Sequence, residues 1–207
     1  MRKAILSLIL VAFVAGNVFA TAADIAPDVL AKKTTDEVLA ILRTNNDIRS
    51  DPKKVTTLVE EKVLPHFDFT KMTRLAVGKG WRQASPEQQQ TLVTQFKNLL
   101  VRTYGSSLTM YKNEAVDFKT LQLEPNATDV MVKSQINRSA GGQPIAVDYA
   151  MEKGASGWKV YDVKIEGVSL VTTFRETFAA KVRESGVDGL IKALSDKNRQ
   201  SAGRLPA

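Results

Sequence analysis

Pro144-Ile145-Ala146-Val147-Asp148-Tyr149-Ala150-Met151-Glu152 sets the period of the second half of the chain. Ile145, Val147, Tyr149 and Met151 fall on one face of a strand, and Ala146, Asp148, Ala150 and Glu152 on the other. The stretch before it repeats the pattern, with Val130, Val132, Ser134 and Ile136 in phase. One sheet face is therefore apolar and the other largely wet, the habit of an antiparallel sheet over a core. Extended stretches are predicted at 117–124, 128–137, 144–152 and 157–166. The links Pro125-Asn126, Ala140-Gly141-Gly142 and Gly154-Ala155-Ser156-Gly157 carry turn chemistry, so the four strands form a meander.

The fourth strand breaks phase. Trp158 and Val160 agree with each other, but Tyr161, Val163 and Ile165 lie in the opposite phase. Either a bulge shifts register near Val160-Tyr161 or both faces are covered there. The apolar series continues into Val168, Leu170, Val171 and Phe174. A solid core and an enclosed apolar pocket use the same residue types, and periodicity does not separate them.

The first half has helical spacing. The stretch 28–49 places Val29, Val38, Leu39, Ile41, Leu42 and Ile48 among charged residues. Asp51-Pro52 is an N-cap followed by proline at the first helical position. Val55, Leu58, Val59 and Val63 form the next stripe, which Leu64-Pro65 stops. A short helix is predicted over 68–77, closed near Gly78 and Gly80. Ser85-Pro86-Glu87-Gln88 opens another, which Leu92, Phe96, Leu99, Leu100, Tyr104, Leu108 and Tyr111 carry to about 111. At 1.5 Å per residue that spine is ~40 Å long. Helix returns over 169–184 and again from Asp188 to about Lys197, with Gly186 between, and the polar tail from Asn198 is expected to fray.

The N-terminus opens on Met1-Arg2-Lys3, followed by the apolar run AILSLILVAFVA from Ala4 to Ala15. Val18-Phe19-Ala20 and Ala20-Thr21-Ala22 then supply small-residue ends. This pattern predicts a secretory signal peptide over 1–22, cleaved after Ala20 or Ala22. The run falls short of the ~20 residues that span a bilayer. With no cysteine behind it, a lipoprotein anchor is not expected. The remaining chain, about 185 residues, suffices for one domain with a core.

Composition removes whole reaction classes. Without cysteine there is no thiol catalysis, disulfide or Cys-based metal site. A single histidine, His66, argues against Ser-His triads and multi-His metal centres. His66 itself fits a structural or surface role. Gly78-Lys79-Gly80-Trp81 has no strand before it and fits a loop with turn glycines better than a phosphate loop. Asp148 and Asp162 serve as wet-face residues or partners for Lys and Arg. Asn126-Ala127-Thr128 and Asn137-Arg138-Ser139 match glycosylation sequons, a pattern common by chance. Losing Arg2 and Lys3 lowers the formal charge from +7 to +5. In an exported protein that excess meets anionic headgroups or acidic protein faces rather than nucleic acid, unless it is simply a solvated surface.

Several strings together resemble a known family. They are Leu64-Pro65-His66-Phe67-Asp68-Phe69, Gly78-Lys79-Gly80-Trp81-Arg82, the stretch from Phe96 to Tyr104, and Gly186-Val187-Asp188-Gly189-Leu190-Ile191. The most specific is Trp158-Lys159-Val160-Tyr161-Asp162-Val163-Lys164-Ile165-Glu166-Gly167-Val168-Ser169-Leu170. Their order and spacing, over roughly residues 30 to 197, resemble the MlaC family, also called the toluene-tolerance family. The resemblance implies an α+β fold in which a curved four-stranded antiparallel NTF2-like sheet packs against a helical lobe. The lobe would span about 24–112 of a single domain over 23–207, the sheet and C-terminal helices about 113–198, and a frayed tail 199–207.

It further implies a monomeric periplasmic phospholipid carrier, with an apolar cleft for the acyl chains and the headgroup at its mouth. Its partners would be an outer-membrane lipoprotein–porin complex and the inner-membrane MCE-domain substrate-binding protein of an ABC transporter. Such a shuttle maintains outer-membrane lipid asymmetry and needs no cofactor or metal, only the phospholipid cargo. Under it, the tail-contact candidates are Tyr104, Leu108, Val147, Tyr149, Met151, Val163, Ile165, Val168, Leu170, Val171 and Phe174. Arg82, Arg102, Lys164 and Arg175 are candidates for headgroup or partner contact. The rivals are a secreted NTF2-like enzyme with Asp148, Asp162 or His66 in a polar cleft, and a protein-binding module with a filled core.

Overall fold

The computed structural model describes residues 25–138 and 141–202. The expected leader over 1–22 lies outside the described residues. Among the described residues, six α-helical elements accompany a five-stranded antiparallel meander of order β1-β2-β3-β4-β5. In chain order the helices are α1 (Pro27–Thr44), α2 (Asn46–Ser50), α3 (Pro52–Lys62), α4 (Phe69–Val77) and α5 (Pro86–Gly105), with α6 (Leu170–Ala202) at the end. The strands are β1 (Ala115–Phe118), β2 (Asp129–Asn137), β3 (Ile145–Gly154), β4 (Gly157–Ile165) and β5 (Val168–Ser169). Among the described residues, no helix is long and apolar enough to cross a membrane.

Local chemistry sets most boundaries. Asp51, Asp68 and Asn45 cap their helices by accepting from Lys53 N, Lys71 N and Ile48 N. Asn45 also divides the expected 28–49 helix, because its side chain competes for the backbone of the next turn. Ser85 and Gln88 form a reciprocal capping box: Gln88 N donates to Ser85 Oγ at 3.2 Å, and Ser85 N to Gln88 Oε1 at 2.9 Å. The spine helix ends at Gly105, near 30 Å rather than ~40 Å, and Ser106–Met110 continue as a tighter 3-10 turn. Gly105 and the two serines after it are weak helix formers.

The expected four-stranded count is corrected to five. Glu166 (φ 50°) and Gly167 (φ 79°) make a two-residue reverse turn that sets Val168 opposite Ile165. β1 is shorter than the predicted 117–124. Leu121 N instead donates to Asp28 Oδ2 at 3.1 Å, holding the following loop to the first turn of α1. α6 is two helices that meet at a kink at Gly186 (φ 68°), where the sequence reading divides them, and the second continues past the expected frayed end. Asn198 is buried, with its Nδ2 donating to Gln95 O at 2.9 Å.

The phase break in the fourth strand is a bulge. Ala150 pairs with Asp162 but Met151 pairs with Val160, leaving Tyr161 as the extra residue. Val160 thereby joins Val163 and Ile165 on the inner face. The bulge turns Asp162 inward on the other side. It is not a wet-face residue: it is 8% exposed and accepts from Ser169 Oγ (2.5 Å), Val163 N (2.9 Å) and Val171 N (3.1 Å). Asp162 therefore fixes the start of α6. Asp162→Ala leaves these donors buried without a partner and is expected to cost about 3 kcal/mol in urea unfolding, against about 1 kcal/mol for Ser169→Ala.

Candidate functional site

The apolar side chains gather into three clusters rather than one. Met72, Leu92, Phe96, Phe178 and Leu190 join α4, α5 and α6. Val38, Leu42, Val55, Leu58 and Tyr111 join α1, α3 and the turn after α5. Val132, Met151, Trp158, Val160 and Val163 lie under the sheet. Between these clusters is a cavity of about 640 Å³. The sheet supplies Ile136, Ile145, Val147, Tyr149, Met151, Val160, Val163 and Ile165 to its wall. α1 supplies Leu30, Ala31, Val38 and Leu39, α5 supplies Leu100, Val101 and Tyr104, and the 3-10 turn adds Leu108 and Met110.

The polar groups on the wall are few and mostly engaged. Tyr149 stacks on Phe118 with ring centroids 6.1 Å apart. Burial pushes its phenol up, while the hydroxyls of Ser134 and Thr35 bond to it and partly offset that shift. Ser134 Oγ donates to Val147 O at 2.7 Å. At one end of the cavity, Arg43 Nε donates to Tyr111 Oη at 2.8 Å and the Tyr111 hydroxyl donates to Glu114 O at 3.1 Å. Glu114 and Arg138 flank the last β1–β2 pair, Ala115 with Asn137, and both line the cavity. Met110, 68% exposed, also lines the cavity.

His66 also reaches the cavity wall. Burial, with the Lys159 charge second, holds its imidazole below the usual histidine range. The enzyme candidates do not converge with it. Asp162 is the α6 cap, and Asp148 pairs in register with Lys164, one residue out of phase with the wall residues Val147 and Tyr149.

Of the tail-contact candidates, Tyr104, Leu108, Val147, Tyr149, Met151, Val163, Ile165 and Leu170 lie on the cavity wall. Val168 does not; it is 60% exposed on edge strand β5. Val171 and Phe174 belong to the cluster between α4, α5 and α6, where Phe174 meets Phe96 edge-on at 5.1 Å. None of Arg82, Arg102, Lys164 and Arg175 lines the cavity; Arg175 Nε donates to Leu75 O at 3.0 Å. Sequence reasoning missed the α1 wall and Met72, whose spacing looks like any buried stripe. It also missed Arg138 and Glu114, which only the β1–β2 register brings together. Val160 was signalled by the phase break but needed the bulge to be placed.

A family model described as MlaC protein matches residues 32–196. The chain belongs to the MlaC family. A solved structure of a phospholipid-binding protein from Ralstonia solanacearum, in complex with a phospholipid, is similar with a TM-score of 0.78 and 40% identity. The match covers 84% of this MlaC-family chain and 98% of that one. The intermembrane phospholipid transport system binding protein MlaC of Haemophilus influenzae is 26% identical over 203 residues, 97% of this chain and 92% of that protein. The toluene tolerance protein ttg2D of Pseudomonas putida is 27% identical over 173 residues, 81% of this chain and 78% of that protein.

Cavity and core positions respond differently to added volume. Val171→Trp enters a close-packed cluster and is expected to cost about 1–3 kcal/mol or more, whereas Val147→Trp extends into open space and costs less than about 1 kcal/mol. Urea unfolding of the two variants checks this. His66 gives a separate acid-side signature. Because its folded pKa is depressed, the unfolded chain binds the proton first, and stability falls as pH drops below about 6.5. His66→Gln is expected to remove that part of the slope, as read by thermal midpoints between neutral pH and pH 5.

Proposed function

We propose that this chain is a periplasmic phospholipid carrier that holds acyl chains in the cavity between sheet and helices. The observation that carries this is the cavity itself, about 640 Å³ with almost wholly hydrocarbon walls, in a family whose relatives are described by phospholipid binding or transport. At ~0.8 kcal/mol per methylene, two sixteen-carbon chains cost ~25 kcal/mol when exposed to water. A water-soluble carrier must therefore enclose nearly all of that surface. The tails lie against Tyr104, Leu108, Val147, Tyr149, Met151, Val163, Ile165 and Leu170, together with the α1 residues opposite. The headgroup stays at the opening, where the Arg138 guanidinium can meet a phosphate.

The leader over 1–22 exports the chain, and the remainder works as one lipid-binding domain. Lipid passes between an outer-membrane lipoprotein–porin complex and the MCE-domain protein of an inner-membrane ABC transporter. Binding and release suffice for this, and no bond is made or broken. The secreted-enzyme alternative needs titratable groups converging in the cavity, and Asp148 and Asp162 lie elsewhere.

Protein purified from a Gram-negative periplasm is expected to carry phospholipid, read by solvent extraction and mass spectrometry. Val147→Trp should lower the bound lipid about tenfold while the fold survives, because the indole occupies space the tails need. Wild-type protein that is lipid-free and takes up none from vesicles would refute the carrier reading.

A further inference from the structure

The positive charge of this chain is concentrated on one side of the fold. Residues 27–62, which build α1 to α3, hold seven basic and seven acidic side chains. Residues 111–169, which build the sheet, hold seven basic and eight acidic ones. By contrast, 73–83 and 170–185, from α4, the 3-10 turn after it and the first half of α6, hold six basic side chains and two acidic ones. These are Arg74, Lys79, Arg82, Arg175, Lys181 and Arg183, against Glu176 and Glu184.

Two contacts bring these segments onto one surface. Arg175 Nε donates to Leu75 O at 3.0 Å, laying the start of α6 along the end of α4. Seven residues further along α6, Val182 packs against Gly80. A Cβ on Gly80 would lie 3.1 Å from a Val182 methyl, so the turn's backbone rests directly on α6. The two tie points are ~10 Å apart along the helix. Of the six cations, only Lys181 is ion-paired among the described residues, with Glu184 at 3.1 Å. Arg74, Lys79, Arg82, Arg175 and Arg183 are exposed, and none of them lines the cavity.

We propose that this α4–α6 face is a docking surface for an acidic face of a partner protein, separate from the lipid opening. Four of the five unpaired cations are arginines, whose planar forks suit carboxylates. The exposed large apolar side chains of the described chain, Ile25, Val29, Met110, Leu123 and Val168, all lie outside this face. An element that settles into a bilayer surface presents exposed apolar residues beside its basic ones, and the large apolar side chains of this face, Leu75, Trp81, Phe174 and Val182, are all partly buried. A grip that touches neither the cavity wall nor its opening leaves lipid free to pass while the proteins are joined. Attraction between exposed charges acts mainly on association rate and fades with salt, which suits repeated docking and release.

The test begins with a photo-crosslinking residue at position 82 in intact Gram-negative cells. The protein it captures, once identified and purified, is the probe for stopped-flow association at low and high salt. Lys79→Glu with Arg82→Glu should slow association about tenfold at low salt and flatten its salt dependence. Lys79→Ala with Arg82→Ala should give a smaller loss, and Lys119→Glu with Lys133→Glu on the sheet should change the rate less than twofold. Thermal midpoints and bound lipid should stay unchanged in every variant. The proposal is overturned if position 82 captures no protein, or if the reversed pair associates as fast as the wild type. It is equally overturned if these residues instead govern sedimentation with vesicles of three parts phosphatidylethanolamine to one part phosphatidylglycerol. Bound lipid is measured separately, so an empty wild-type protein would count against the carrier reading and not against the docking surface.

Discussion

One extra residue, Tyr161, organises this fold. Without it, β4 would present Val160 to one side of the sheet and Val163 and Ile165 to the other, and the cavity wall would be broken in the middle. The bulge restores a continuous inner face and gives the displaced groups new duties. Asp162 turns inward and anchors the N-terminus of α6. Tyr161 turns outward, with its hydroxyl bonding to Asp129 at 2.9 Å and Lys71 Nζ lying 3.5 Å above its ring. Burial raises the phenol to about 12, and the Asp129 carboxylate that accepts its hydrogen bond adds to the shift. Lys71 closes the cluster with Glu152 at 3.0 Å, joining α4 to the strands. Beside the bulge, Asp68 N donates to Val160 O at 2.8 Å, where the segment before α4 pairs with β4. The helical half and the sheet are thus joined through consecutive residues of one strand.

The cavity follows from how those halves are joined. Interiors normally fill to the density of organic crystals, so a void of this size means that three well-packed clusters meet without merging. Wall atoms that face empty space forgo dispersion contacts on that side. Stability must come from elsewhere, and the cluster between α4, α5 and α6 is the best placed to supply it. There Phe96 meets both Phe174 and Phe178 edge-on, at 5.1 and 5.2 Å, with Leu92 and Leu190 fully buried beside them. This division explains why Val171 and Phe174, apolar and next in sequence to the wall residue Leu170, lie in the solid part of the molecule. Helical rotation after Leu170 carries the next residues away from the cavity and into the core.

The same geometry explains what the sequence disclosed. Helix starts at Asp51, Asp68 and Ser85 were legible because a cap is a local bond between a side chain and a backbone N–H two or three residues on. The inner faces of β2 and β3 were legible because side chains alternate across a strand with period two. The phase break was visible at Val160-Tyr161, but its resolution depended on the partner strand. The fifth strand was hidden because two residues carry no period, and only the turn at Glu166-Gly167 marks it. The α1 wall and the Arg138–Glu114 pair were not legible at all. Each is set by which elements the chain brings side by side, and hydrophobic spacing says that a face is buried without saying whether it meets atoms or space.

Charge and cavity are segregated by the same plan. A wall that accepts hydrocarbon cannot also carry a strong field, because an ion beside an apolar void is poorly solvated. The charged groups on the wall are accordingly few, Arg138 and Glu114 across the β1–β2 register, with the Arg43 guanidinium tied to the wall residue Tyr111. The unbalanced positive charge sits over the helical cluster between α4, α5 and α6, of whose buried members only Met72 and Leu100 line the cavity. Under the proposed carrier role, a surface mounted on that part would change little on loading and unloading, while the walls of α1, β3 and β4 would meet or lose the cargo. On that reading, recognition and storage occupy different layers of the fold, joined at the strand that carries the bulge.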